Sequence, residues 1–352
     1  MSGKQWLKKN MKISAIFILP FLIVIMSFNF LIDPYWYFNH KNDWNDFQLG
    51  FDERELKTNK VLADNKDYDA LLIGTSRLTY WNQHSFEDNK VFNYSLSSMT
   101  LKEYIPYIQF AENNLKGDIK KVYLEIYYGS FDNKESGFGS TDEYLNETDN
   151  PVDKIKKMYS NETLKRSLSN YEISKVNESD GPRTYNRDNV GTTTMGNENF
   201  EPLLTKLENT KVEERTITEA DFVEYTKTLK NIKEETSHLE VIPMTELIPL
   251  GRLAYIWESE EDREIYKNWI RTTVKEFGEL YVFHKKNSYT TDEKYWFDLH
   301  HYYPVVAEKM IDAVENPQKN KKLVDVVTEK NLENFFSQLE KDIVNYNKTA
   351  DN

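Results

Sequence analysis

Between Ile13 and Ile32 the chain runs for about twenty residues without a charge, in a sequence whose overall charged fraction is 29%. A helix of that length matches the hydrocarbon core of a bilayer, and a helix is the only form in which a single segment satisfies its own backbone there. Pro20 and Asn29 are tolerable in such a span. Lys4, Lys8, Lys9 and Lys12 precede the run and set the expected cytoplasmic side. The run leads into Asp33-Pro34-Tyr35-Trp36-Tyr37-Phe38, with no small-x-small cleavage pattern, so a retained anchor is expected rather than a removed signal peptide. A buried core helix is the competing reading, disfavoured by the length and the lysine head. Tyr35, Trp36 and Tyr37 are expected in an aromatic belt at the outer interface. The sequence thus predicts a cytoplasmic head at 1–12, one membrane-spanning segment at 13–32, and everything after Asp33 outside.

The chain contains no cysteine, so it has neither a disulfide framework nor a thiolate metal site. Export without disulfides suggests a bacterial envelope, with a Gram-positive one preferred. A net charge of -13 argues against nucleic acid as a partner, because phosphate recognition needs concentrated Lys and Arg. It leaves a neutral sugar polymer open.

After a polar stem at 33–68, strand and helix patterns alternate. Asp69–Ile73, Lys90–Asn93 and Lys121–Tyr127 read as strands, with Leu101–Asn114 helical between the last two. The rhythm resumes with a helix Glu219–Glu235 capped by Thr218 and a strand Leu239–Pro243. A helix Ser259–Phe277, a strand Leu280–Phe283 and a helix Pro304–Val314 complete it. Alternation of this kind predicts an α/β domain over 69–315 with a parallel sheet covered on both faces. A polar insertion at about 132–217, helical near Val152–Lys175, reads either as a cap over the active-site edge or as a surface loop. Residues 316–352 are expected to form a helical extension, with Leu332, Phe335, Phe336, Leu339 and Ile343 as its docking stripe.

Two short motifs carry chemistry. Asp69-Ala70-Leu71-Leu72-Ile73-Gly74-Thr75-Ser76-Arg77 is a buried strand entering a tight turn that ends on a hydroxyl. Phe297-Asp298-Leu299-His300-His301-Tyr302 sets a carboxylate three residues before a histidine, ahead of a helix opening at Pro304. A serine needs a base to act as a nucleophile, and the base needs a carboxylate to fix its tautomer. In parallel sheets ligands gather at the carboxyl ends of strands, where Ser76 falls. Ser76 could instead be a turn hydroxyl capping the following helix. Arg77 could bind a substrate anion or bridge to an acidic neighbour. Asn93 could hold the loop that presents Ser95 or serve a simple turn, and Glu125 reads as a solvated or paired charge. Adjacent histidines do not readily share one ion, so a metal reading of Asp298, His300 and His301 is disfavoured. No cofactor is expected.

These motifs, together with Asp33-Pro34-Tyr35 and Asn93-Tyr94-Ser95, resemble the SGNH (GDSL-like) hydrolases and acyltransferases over roughly residues 33–315. The resemblance is nearest to membrane-anchored members that work beside membrane-bound O-acyltransferases. These include the D-alanyl transfer protein of teichoic acid modification and proteins of exopolysaccharide acetylation. It implies a flavodoxin-like three-layer α/β/α sandwich with Ser76, Asp298 and His301 as a triad, His301 rather than His300 fitting the family's Asp-x-x-His spacing. It also implies a membrane-bound acyl donor and a polysaccharide acceptor as partners. Two features depart from the family pattern. Ser95 stands where the family has an oxyanion-donating Gly, so the backbone N–H groups of Ser76 and Ser95 would form the hole. The Gly-x-Asn block after the next strand is absent, Tyr128-Gly129-Ser130 standing there. The implied activity is extracytoplasmic O-acyl transfer to an envelope polymer, with an O-acyl esterase or a non-catalytic scaffold as the alternatives.

Overall fold

The computed structural model describes residues 3–132, 137–146, 150–176, 181–208 and 217–350. The chain forms two compact units: residues 1–64 with 142–188, and residues 65–141 with 189–352.

The second unit holds a six-stranded sheet of β1 (Ala70–Ile73), β2 (Val91–Asn93), β3 (Lys121–Glu125), β4 (Glu240–Met244), β5 (Glu279–Val282) and β6 (Asp325–Thr328). Their order across the sheet is β2-β1-β3-β4-β5-β6. The first five are parallel, and β6 closes the edge antiparallel to β5. The mixed α/β architecture with a mostly parallel sheet is the one the alternating pattern predicts. Both faces of the central strands are buried, as their near-continuous apolar runs require. Ala70, Leu72, Tyr123, Ile242 and Met244 join a core cluster with Val306, Ala307 and Met310 of helix Pro304–Glu315. Leu71, Ile73, Val122 and Leu124 point the opposite way and are fully buried too, and helix Leu101–Asn114 lies against β1.

Local signals set the helix ends. Thr100 with Glu103, and Thr218 with Asp221, form reciprocal capping boxes. Ser259 caps Glu260–Phe277, which stops at Gly278 with φ +90°. Leu250–Glu258 is a helix that the sequence pattern did not reveal. The C-terminal extension is not wholly helical, because it first contributes β6. Its helix Leu332–Ala350 then packs Phe335, Phe336, Leu339 and Ile343 inward and lies against Leu250–Glu258.

In the first unit, Gly3–Ile32 is one helix, long and apolar enough to cross a membrane. The segment expected as a stem is folded. Helix Glu53–Ala63, capped by Asp52, buries most of its residues. Phe47–Leu49 pairs antiparallel with Thr184–Asn186. Asp33, buried with φ +49°, accepts the backbone N–H groups of Tyr37 and Phe38 at 2.8 and 3.0 Å and pairs with Arg187 at 2.6 Å. Tyr35 and Trp36 are consequently buried, Trp36 edge-on to Tyr185, and do not face lipid. The helix expected near Val152–Lys175 is two helices, Pro151–Met158 and Asn161–Val176, broken where Ser160 Oγ takes the Thr163 N–H at 3.0 Å. Other parts of that insertion, 133–136, 147–149, 177–180 and 209–216, lie outside the described residues.

Candidate active site

Strand order reverses at β1, so the turn after Ile73 opens at a switch point where the loops on either side diverge. Gly74 makes that turn possible: a Cβ there would sit 2.6 Å from Leu78 Cδ1 and 2.7 Å from Glu125 Cβ. Glu125, at the end of β3, accepts the Thr75 N–H at 2.5 Å and the Arg77 Nε–H at 3.1 Å. Thr79 Oγ1 donates to the Ser76 carbonyl at 2.6 Å. These bonds leave the Ser76 side chain directed outward, half-buried, at the sheet's carboxyl edge.

The second motif forms a closed loop. Trp296 and Tyr302 pair across it as an isolated antiparallel bridge, and Phe297 N–H donates to the His301 carbonyl at 3.2 Å. Asp298 Oδ1 accepts the backbone N–H groups of His300 and His301, each at 2.7 Å. Trp81 Nε1 donates to Tyr302 Oη at 2.8 Å and ties this loop to the serine turn. The His301 ring stacks on Phe297 with 6° between planes.

The two motifs meet. Ser76 Oγ lies 2.8 Å from His301 Nε2, and His301 Nδ1 lies 2.9 Å from Asp298 Oδ2. With Nδ1–H donated to the carboxylate, Nε2 is the acceptor for the serine proton. Burial alone would raise the Asp298 carboxyl. The hydrogen bond and charge of His301, with the two backbone N–H groups, outweigh that and hold it below the usual 3.8. His300 points elsewhere: its Nδ1 accepts from Arg252 Nη1 at 3.0 Å. The arrangement can take a proton from a serine hydroxyl and return it to a leaving group, the chemistry of acyl transfer.

The other expected site residues are placed differently. Arg77 is buried, its guanidinium paired with Glu125 and lying 5.7 Å over the Tyr127 ring, so it bridges to an acidic neighbour. Asn93 is a buried hub. Its Nδ2 donates to the carbonyls of Leu78 and Trp81 at 2.8 and 2.9 Å, and its N–H goes to Gln83. Ser95 does not turn its N–H toward Ser76. That N–H is donated to Asn93 Oδ1 at 3.0 Å, its hydroxyl reaches the Leu72 carbonyl at 3.3 Å, and the residue is fully buried. The reason is local: Asn93 closes an Asx-type turn on the residue two positions on.

Among the buried acids outside both motifs is Glu246. Glu246 lies just beyond β4 and accepts the Tyr128 N–H with both oxygens at 2.9 and 3.1 Å. Burial raises its carboxyl, against the lowering influence of the Arg77 charge. A lone carboxylate two residues after the apolar run Val241–Met244 is the available signal. Among the described residues, no group of three or more His, Cys, Asp or Glu is arranged to hold a metal ion. Comparisons of the chain with protein families, curated proteins and solved structures found no match.

Proposed function

We propose that the protein is a membrane-anchored, extracytoplasmic serine O-acyltransferase of the SGNH type, with a flavodoxin-like three-layer α/β/α catalytic domain. The observation that carries this reading is the continuous relay from Ser76 Oγ through His301 to Asp298. His301 Nε2 takes the Ser76 proton as Oγ attacks the carbonyl carbon of an acyl donor. The tetrahedral oxyanion collapses, the donor's oxygen leaves with the proton from His301, and an acyl-serine ester remains. His301 then takes the proton of an acceptor hydroxyl, which attacks the ester; the acyl group moves to the acceptor and Ser76 regains its proton. The strand order 2-1-3-4-5 with the serine at the switch point supports the flavodoxin-like assignment. The helix Gly3–Ile32 and its lysine head support an anchor with a cytoplasmic N-terminus, which would hold the domain beside a membrane-bound acyl donor. The acceptor in this reading is a hydroxyl of an envelope or exported polysaccharide, and the acyl group is acetyl or one of similar size.

One observation favours a second reading. The Ser95 N–H, the backbone donor the family pattern assigns to the oxyanion, is committed to Asn93. Losing one such donor typically costs about 3 kcal/mol of transition-state stabilisation, which suits a slow enzyme or a non-catalytic scaffold. The test is O-acyl ester content of the envelope polymer in cells carrying Ser76→Ala. A transferase predicts fewer esters than wild type and an esterase predicts more. Unchanged content, with the variant folded and anchored, supports the scaffold and ends the catalytic reading.

A further inference from the structure

Tyr35 and Trp36 are buried, so the membrane boundary must be met by other residues, and the first unit offers a specific set. Helix Pro151–Met158 carries Val152 and Ile155 on one stripe, continued by Tyr159, exposed by 57%, 52% and 41%. Beside them Lys156 pairs with Asp153 at 2.8 Å and Lys157 with Glu55, and both lysine side chains still reach solvent. An apolar stripe left uncovered next to lysines is the pattern of a helix that lies along a membrane surface.

The position of this helix selects the occupant. Tyr159 Oη donates to Met26 Sδ at 2.9 Å, and Asn29 Nδ2 donates to the Met158 carbonyl at 2.8 Å. Met26 lies six residues before the end of Gly3–Ile32, about 9 Å along its axis. The C-terminus of Pro151–Met158 is therefore fastened to the outer turns of the very helix that would cross the bilayer. Around the same helix end, Phe30, Phe38 and Trp44 are exposed, Phe30 and Phe38 packing with ring centroids 4.7 Å apart. Aromatic rings of this kind concentrate where headgroups meet acyl chains.

We infer that helix Pro151–Met158 and the rings of Phe30, Phe38 and Trp44 form a collar seated in the outer headgroup layer of the bilayer. Val152 and Ile155 dip toward the acyl chains, while Asp153 and Lys157, a quarter turn or more around the helix, face water. This rests on the reading of Gly3–Ile32 as a membrane span. The collar gives the folded unit at residues 33–64 and 142–188 a fixed height above the membrane, where a free stem would let it drift.

The natural chain has no cysteine, so single spin labels can be placed cleanly. The full chain carrying Val152→Cys, Ile155→Cys, Asp153→Cys, Lys157→Cys or Ile18→Cys would be labelled with a nitroxide in vesicles of phosphatidylglycerol and phosphatidylcholine. Relative accessibility to oxygen and to a nickel chelate reads the depth of each label. Labels at 152 and 155 should lie about 5–10 Å below the headgroups, those at 153 and 157 in water, and the label at 18 deep in the acyl region. If 152 and 155 are as water-accessible as 153, or all four are equally deep, the collar is wrong while a deep label at 18 keeps the anchor. A water-exposed label at 18 would overturn the anchor and the collar together.

Discussion

Two serines sit just past neighbouring parallel strands and meet opposite fates. Ser76 comes three residues after β1 and Ser95 two residues after β2. Around Ser76 the backbone is held by Glu125, itself paired with Arg77, and by Thr79, which leaves the serine hydroxyl to His301. Around Ser95 the fastening group is Asn93, which consumes the N–H of Ser95 itself. A polar residue at the carboxyl edge of a sheet is thus not a site residue by position. It becomes one when neighbours satisfy the backbone and leave the side chain over. The same contrast separates His301, held between Asp298 and Ser76, from His300, which accepts from Arg252.

The largest expected effect is at the outward-facing serine. Ser76→Ala should lower acyl transfer by about 10⁴-fold or more, and His301→Ala comparably. The double variant should be little worse than either alone, since the groups act as one unit. Steady-state kinetics on the purified full chain checks this; additive losses would break the unit. Asp298→Asn should cost about 10⁴-fold by leaving the wrong imidazole tautomer. It also has a pH signature. Because the folded carboxyl sits below its ordinary 3.8, its contribution to stability is complete above that value and is lost as pH falls through the lower folded one. Acid unfolding of Asp298→Asn, monitored by circular dichroism, should therefore show a shallower dependence in that range than wild type.

Gly74→Ala comes next. Its methyl would press on Leu78 and the Glu125 stem, costing about 1–3 kcal/mol by overpacking and moving Ser76 off His301. Denaturant unfolding reads the first part and turnover the second; an unchanged midpoint would show that the turn is slack. The inward-facing serine gives the smallest effect. Ser95→Ala removes one hydroxyl bond to the Leu72 carbonyl, worth about 0.5–1.5 kcal/mol of stability, and should leave kcat unchanged. A large fall in kcat would mean that Ser95 turns outward during reaction and that the contrast is wrong.

The parts legible in the sequence were those set by short-range chemistry. The strands before Gly74 and Asn93, the strand Lys121–Glu125 and the capped helices announce themselves through apolar runs and Thr or Ser caps. The Asp-x-x-His segment was legible for the same reason, since Asp298 binds the backbone of its own loop. The hidden parts depend on partners far along the chain. The supposed stem folds because Asp33 meets Arg187 and Phe47–Leu49 meets Thr184–Asn186. β6 is four residues beside a lysine cluster, and it is a strand because it pairs with β5. Leu250–Glu258 was masked by Pro249 and Gly251, residues that usually punctuate helices. Arg77 owes its role to Glu125, 48 residues away, which supplies its counter-charge.

Activation of Ser76 by His301 and Asp298 is open to direct chemical capture. Labelling the folded full chain with a fluorophosphonate, which captures activated serines, and mapping the adduct by peptide mass spectrometry tests it most directly. An adduct is expected on Ser76 and not on Ser95, abolished by His301→Ala and strongly slowed by Asp298→Asn. An unlabelled Ser76 in folded protein, or equal labelling in His301→Ala, would contradict it.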